Sequence, residues 1–108
     1  MLKVEILDAD LRELILTGKN SKGAYKKFNH DKKFLKKLTD IYNLMCSVEH
    51  VSNLREYSFL HYEKLKYISM SSVRIINGRI ERLLFTETDD GIQISLIEIN
   101  EDHYGNKK

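Results

Sequence analysis

The sequence predicts an α+β domain in which an N-terminal strand and two helices precede an antiparallel β-meander, with the helices packed on one face of the sheet. Three observations predict it: an alternating apolar and charged pattern at 2–6, an apolar stripe of helical spacing across 34–45, and turn signals between apolar segments after residue 58. At 108 residues, 42% hydrophobic and 31% charged, residues 1–108 are predicted to form one globular domain.

The N-terminal half contains the predicted first strand and both helices. Asp8 or Asp10 can cap a first helix, which we expect to end near Gly18 because glycine readily adopts the left-handed conformation that closes a helix. The second helix has an apolar stripe with four lysines on the opposite side. The stripe consists of Phe34, Leu35, Leu38, Ile41, Tyr42 and Met45, and the lysines are Lys32, Lys33, Lys36 and Lys37.

The C-terminal half is predicted to be mostly β-structure, after a loop at 47–58 with room for one helical turn. The expected strands are 59–68, 72–76, 79–86 and 92–99. Asn77-Gly78 predicts a two-residue type I′ hairpin, in which both central residues have positive φ, and Asp89-Asp90-Gly91 predicts the next reversal in the same way. In the last strand, alternation predicts that Ile92, Ile94, Leu96 and some of Ile97 and Ile99 pack inward.

Composition indicates a cytoplasmic protein that needs neither metal nor cofactor. The single Cys46 cannot form an internal disulfide, and the acids within 1–8 do not suit a signal peptide. No segment approaches the run of about 20 apolar residues that spans a membrane. The chain has no Gly-rich phosphate loop and no Cys or His pair at zinc spacing.

Positive charge is concentrated between residues 19 and 37, where Asp31 is the single acid. Such a patch can bind phosphates, as in nucleic acid or the ribosome, or it can be a solvated helix face that confers solubility. The lysines are Lys19, Lys22, Lys26, Lys27, Lys32, Lys33, Lys36 and Lys37.

Candidate functional residues lie in the predicted strands and after them. Glu63 is two positions from His61, so both would project from one side of a strand. Arg82 lies beside the apolar run 83–85, where an arginine either faces a solvated groove or holds an anion. Alternatively, Glu63 lies on a solvated strand face, Arg82 forms a cross-strand ion pair, and His103 and Tyr104 belong to a frayed terminus.

Four stretches, in their order and spacing, resemble the RelE/ParE superfamily of type II toxins, and within it the HigB and YoeB branches, over essentially the whole chain. They are Leu-Arg-Glu-Leu-Ile-Leu-Thr-Gly-Lys (11–19), Leu-His-Tyr-Glu-Lys-Leu-Lys-Tyr (60–67), Asn-Gly-Arg-Ile-Glu-Arg-Leu-Leu-Phe (77–85) and Glu-Asp-His-Tyr (101–104). The resemblance implies a RelE-like fold. Lys64 departs from it, because the family has proline at this position, and so does the extension 105–108.

The resemblance implies a metal-independent endoribonuclease that cuts messenger RNA on the ribosome by attack of the 2′-hydroxyl on the neighbouring phosphate. By the resemblance, Glu63 is the implied base, Arg82 and Lys66 stabilise the phosphate, His103 is the acid, and Tyr104 stacks on or orients a base. Asp102 resembles the acid just before this His-Tyr pair in HigB, so the sequence leaves open whether Glu63 or Asp102 is the base. The further RNA-contacting residues would be His61, Lys64, Lys32, Lys33, Lys36 and Lys37.

Two other functions remain open at this point. A ParE-like toxin would bind a gyrase-type protein and cut nothing, which would leave Glu63, Arg82 and His103 without a role. A non-toxic domain would bind RNA through the basic helix without cutting it. Both toxin hypotheses imply a cognate antitoxin as partner, expected to be a helix-turn-helix protein of the HigA type. The nuclease hypothesis also implies the ribosome and messenger RNA as partners.

Overall fold

The computed structural model describes residues 2–19, 25–65 and 68–98. Its elements are β1 (Lys3–Ile6), α1 (Ala9–Thr17), α2 (Lys32–Ser47), β2 (Glu63–Leu65), β3 (Met70–Arg74), β4 (Arg82–Glu87) and β5 (Gly91–Glu98), with 3₁₀ turns at Lys26–Phe28, Val51–Glu56 and Ser58–Leu60. The strand order is β1-β5-β4-β3-β2. The predicted α+β architecture and meander are confirmed, and β1 completes the sheet by pairing parallel to β5.

Both long helices begin at an aspartate that accepts a backbone hydrogen bond. The Asp8 carboxylate accepts from the Leu11 N–H at 2.9 Å, and the Asp31 carboxylate accepts from the Phe34 N–H at 3.2 Å. α1 ends at Gly18, which has a φ of 77°. The predicted end of the first helix is therefore confirmed, and its cap is Asp8.

The apolar stripe of α2 packs on one face of the sheet, as predicted. Phe34, Leu38, Ile41 and Met45 are buried in a core that contains Val73, Leu83, Phe85 and Ile94 of the sheet. We call the sheet face with these four residues the core face. Because side chains alternate along a strand, Glu63, Ser72, Arg74, Arg82 and Leu84 lie on the opposite face, here called the distal face.

The connection between β3 and β4 is wider than the type I′ hairpin predicted at Asn77-Gly78. Gly78 has a φ of 91°, but Asn77 has no positive φ, and the Arg79 N–H donates to the Ile76 carbonyl at 3.1 Å. A positive φ at the third residue alone is the pattern of a type II turn. Arg79 also pairs with Asp31 at 2.9 Å, so the loop is tied to the start of α2 rather than folded tightly on its own strands.

The strand predicted across 59–68 is wrong over its first part. Residues Ser58–Leu60 form a 3₁₀ turn, and His61 follows in the left-handed conformation with a φ of 48°. Leu60 is fully buried in the core. The chain therefore turns inward at Leu60 before β2 begins, so His61 does not lie on a strand with Glu63.

A β-bulge shifts the inward pattern predicted for the last strand. Leu84 pairs with Leu96 and Phe85 with Ile94, which leaves Ser95 as the extra residue of β5. After the bulge Ile97 is buried, whereas Leu96, which was predicted to pack inward, is 38% exposed. The reversal predicted near Asp90 is present, but without positive φ at Asp89 or Asp90.

No helix within the described parts of the chain has both the length and the apolar character that crossing a membrane requires.

Candidate active site

Arg82 begins β4 on the distal face and is the most deeply buried charged side chain of the site, with 3% of it exposed. Its Nε donates to Ser72 Oγ at 2.8 Å and its Nη2 donates to the His61 carbonyl oxygen at 2.9 Å. These contacts fix the plane of the guanidinium. Arg82 does not face a solvated groove, the first of the two placements predicted from the sequence, because groups of β2, β3 and the turn before β2 enclose it.

Glu63 supplies the negative charge beside this arginine. Its Oε1 lies 3.5 Å from Arg82 Nη2, and its side chain is 49% exposed. The sheet register explains why Glu63 and Arg82 come close. Glu63 of β2 pairs with Ser72 of β3, and Arg82 of β4 pairs with Arg74, which lies two residues after Ser72 on the same face of β3. One alternative predicted from the sequence was that Arg82 forms a cross-strand ion pair. This ion pair is present, and its acid is Glu63.

His61 contributes its backbone rather than its imidazole to the described contacts. Its left-handed backbone turns its carbonyl toward the Arg82 guanidinium. Residues other than glycine seldom adopt this conformation, and strained residues concentrate at functional sites. His61 also lines an open pocket of about 240 Å³, together with Arg55, Tyr57 and Tyr62.

Arg74 is a further candidate site residue, which the sequence prediction did not include. It lies directly opposite Arg82 in the β3–β4 register, so two guanidinium groups share the distal face. Arg74 Nη1 donates to the Arg79 carbonyl at 2.6 Å, and its Nε is buried without a hydrogen-bond partner. Like Arg82, Arg74 is an arginine within an apolar run, and that signal could have identified it.

A second polar cluster lies across the sheet, on the core face near its β2 edge. The Tyr62 hydroxyl donates to Glu87, and Ser71 Oγ donates to Glu87 Oε2 at 2.7 Å. Lys64 Nζ lies 3.8 Å from Glu87 Oε1, and the Arg55 guanidinium lies 4.4 Å from the centre of the Tyr62 ring. Lys64, predicted to contact RNA, therefore pairs with a carboxylate on the face opposite Arg82.

The lysines of α2 are separate from this site. All four, Lys32, Lys33, Lys36 and Lys37, are exposed on the helix that covers the core face. Lys36 pairs with Asp40 at 3.3 Å, while Lys33 and Lys37 border a groove with Phe59 and Ile75. Any RNA that contacts them and Arg82 together must pass around the edge of the sheet.

Three residues predicted for the site, Lys66, His103 and Tyr104, lie outside the described residues. Within the described ranges, no group of three or more His, Cys, Asp or Glu side chains is placed to hold a metal ion. The described part of the site thus combines two arginines, one carboxylate and a hydroxyl. Such a set can hold a phosphate and accept a proton.

Comparisons with known proteins support a RelE/YoeB-like fold. No protein-family model and no curated protein matches the chain. Two solved structures are similar to it, a YoeB-YefM complex from Staphylococcus aureus and a heterotetrameric YoeB-YefM toxin-antitoxin complex from the same organism. In each, the similar chain has 25% identity and a TM-score of 0.53, with 94% of this chain and 99% of that chain covered. The similarity supports the RelE/YoeB-like relationship that the sequence stretches indicate.

Proposed function

We propose that this protein is the toxin of a type II toxin-antitoxin pair and that it cuts messenger RNA on the ribosome. The observation that carries the proposal is the buried Arg82 with the Glu63 carboxylate 3.5 Å away on the distal face, in a fold similar to the YoeB-YefM structures. Because both similar structures contain YoeB, the YoeB branch is preferred here to the HigB branch.

The reaction is transesterification within the message. Glu63 removes the proton of the 2′-hydroxyl, whose oxygen forms a bond to the adjacent phosphorus while the bond from phosphorus to the 5′-oxygen breaks. Arg82 and Arg74 stabilise the negative charge on the phosphorus centre. A proton must reach the leaving 5′-oxygen, and the proposed donor is His103. The products are a 2′,3′-cyclic phosphate and a 5′-hydroxyl.

The ion pair between Glu63 and Arg82 suits this chemistry because one of its members can move. Arg82 is held by Ser72 and His61, whereas the Glu63 side chain is half exposed. We propose that the substrate phosphate takes the place of the carboxylate at Arg82 and leaves Glu63 free to meet the 2′-hydroxyl. Lys66 would add a further cation, and Tyr104 would stack on or orient a base.

The proposed toxin function also implies binding partners. The α2 lysines contact ribosomal RNA, so binding should weaken steeply with added salt. A cognate antitoxin binds and inhibits the toxin; the two similar structures are YoeB-YefM complexes, one of them described as a toxin-antitoxin complex. That the partner here is a helix-turn-helix protein of the HigA type is a separate proposal, which the product of an adjacent reading frame would support or contradict.

Replacing Glu63 with glutamine tests the proposed base. We expect cleavage of ribosome-bound message to fall by about 100-fold, because the amide keeps the shape of the carboxylate but cannot accept the 2′-hydroxyl proton. The measurement is the single-turnover rate on programmed ribosomes. Glu5→Gln, on the opposite edge strand, is the matched control and should cut at the wild-type rate.

Full cleavage by Glu63→Gln would contradict the role of Glu63. A folded wild-type protein that cuts no message on ribosomes would contradict the nuclease itself. In that case, inhibition of a gyrase-type enzyme would favour the ParE-like function, and salt-sensitive RNA binding alone would favour a non-catalytic RNA-binding domain.

A further inference from the structure

Strand β2 is short, lies at the edge of the sheet and carries the proposed base. It spans only Glu63–Leu65 and pairs with β3 on one side. So short a ladder gives little restraint of its own, since edge strands lack hydrogen bonds on their outer side. Keeping the backbone at Glu63 beside Arg82 therefore requires contacts beyond the ladder.

Tyr62 provides such a contact from the other side of the sheet. It stands in the chain between His61 and Glu63, both of which contact Arg82 on the distal face. Its own side chain points to the core face, where its hydroxyl donates to Glu87 of β4. Arg82 and Glu87 are the two ends of β4, so this one strand holds the segment 61–63 from both faces.

We propose that Tyr62 and Glu87 form a positioning pair that keeps the backbone of 61–63, with the His61 carbonyl, in place beside Arg82, so that the Glu63 side chain stays within reach of the site. The effect on RNA cleavage rests on the function proposed above, whereas the structural anchor does not. Neither residue touches the proposed reacting groups. Their role is to hold the segment between the 3₁₀ turn and β2 in the one arrangement that completes the site.

The surroundings of Glu87 favour its charged form, which makes it a strong acceptor. Burial alone would raise the pKa of the Glu87 carboxyl; the hydrogen bonds from Tyr62 and Ser71 and the charges of Lys64 and Arg55 outweigh burial and lower that pKa. A hydrogen bond to a charged acceptor is stronger than one between neutral groups. The ring of Tyr62 is also held, because it packs against Phe85 with centroids 6.2 Å apart.

A carboxyl with a lowered pKa in the folded state has a definite sign of pH dependence. The anchor is at full strength above the pKa that Glu87 has in the unfolded chain, and it is lost as the pH falls through the lower pKa of the folded state. Glu87→Gln should remove this contribution. We therefore expect the acid side of the unfolding profile to be flatter in Glu87→Gln than in the wild type.

Tyr62→Phe is the sharpest test, because it removes one hydroxyl and leaves the packed ring. We expect kcat for message cleavage to fall by about tenfold, since small displacements of catalytic groups are costly, while KM stays within about twofold. Glu87→Gln should lower kcat in the same way, and the double variant should be no slower than the slower single variant. Tyr42→Phe, which removes a hydroxyl from α2 outside the candidate site, is the matched control with unchanged kcat.

Amide hydrogen exchange gives a readout that does not depend on cleavage. In Tyr62→Phe we expect the amides of 63–65 to exchange about fivefold faster or more, with those of β1 unchanged. If wild type cuts no message, the proposed function fails, yet this local change would still support the anchor. Unchanged exchange and kcat would overturn the positioning pair, and so would faster exchange spread evenly over the sheet, which would indicate a general loss of stability.

Discussion

Replacing Arg82 with alanine is expected to lower message cleavage by about 1000-fold, the largest effect on activity of any single change in this protein. The physical reason is that the guanidinium is fixed before substrate arrives, by Ser72 at 2.8 Å and the His61 carbonyl at 2.9 Å. A donor held in place needs no reorganisation when charge develops on the phosphate. The rate on programmed ribosomes is the measurement.

The alanine variant also loses stability, so a second variant is needed. Removing the guanidinium leaves Ser72, Glu63 and the His61 carbonyl without their partner, at a cost of about 2–3 kcal/mol. Arg82→Lys keeps the charge but not the planar fork, and we expect it to fold and still cut about 100-fold more slowly. Arg12→Lys, on α1, is the control. Cleavage near the wild-type rate by folded Arg82→Lys would show that Arg82 is structural only.

Gly91→Ala is expected to give the largest loss of stability, about 3 kcal/mol. Gly91 begins β5 against β1, and a Cβ atom there would lie 1.8 Å from the Lys3 carbonyl oxygen and 2.9 Å from the Lys3 nitrogen. Both are backbone atoms, so the clash cannot be relieved by turning a side chain. The alanine must push β1 away from its one neighbour in the sheet. Urea unfolding measures the free energy.

Gly78→Ala is the control that separates crowding from backbone conformation. A Cβ atom at Gly78 would meet nothing within 4 Å, but its φ of 91° is unfavourable for alanine. We expect this variant to lose about 1 kcal/mol, the cost of a left-handed alanine. If Gly91→Ala were no less stable than Gly78→Ala, the close approach of β1 to β5 would not limit stability.

The sequence predicted those parts of the fold that depend on local patterns. The stripe of α2, the glycine that ends α1 and the order of the meander strands follow from periodicity and turn residues alone. The turn at Leu60 and the bulge at Ser95 were not predictable in this way. Leu60 is apolar within a β-like run, and only its burial in the core shows that the chain turns inward there.

For the candidate site, the sequence indicates which residues to consider, but not how they are arranged. Strand spacing and the apolar run 83–85 made Glu63 and Arg82 candidates, and the resemblance implied their roles. Their ion pair depends on the register of three strands, which no local pattern encodes. The same register places Arg74 beside Arg82. Tyr62 and Glu87 are 25 residues apart in the chain. They meet because the pairing of β3 with β4 brings Glu87 beside Ser71 near the β2 edge, where the Tyr62 hydroxyl reaches it. No sequence motif marks such a contact.

A message with one 2′-deoxy nucleotide at the cleaved position tests most directly whether this protein cuts RNA through the 2′-hydroxyl. Cleavage is first mapped on programmed ribosomes with the all-ribose message, and the substitution is then made on the 5′ side of the cut. We expect the all-ribose message to give a 2′,3′-cyclic phosphate and a 5′-hydroxyl, and the cut at the deoxy position to disappear while other sites are cut normally. A cut that persists at the deoxy position would contradict the proposed reaction.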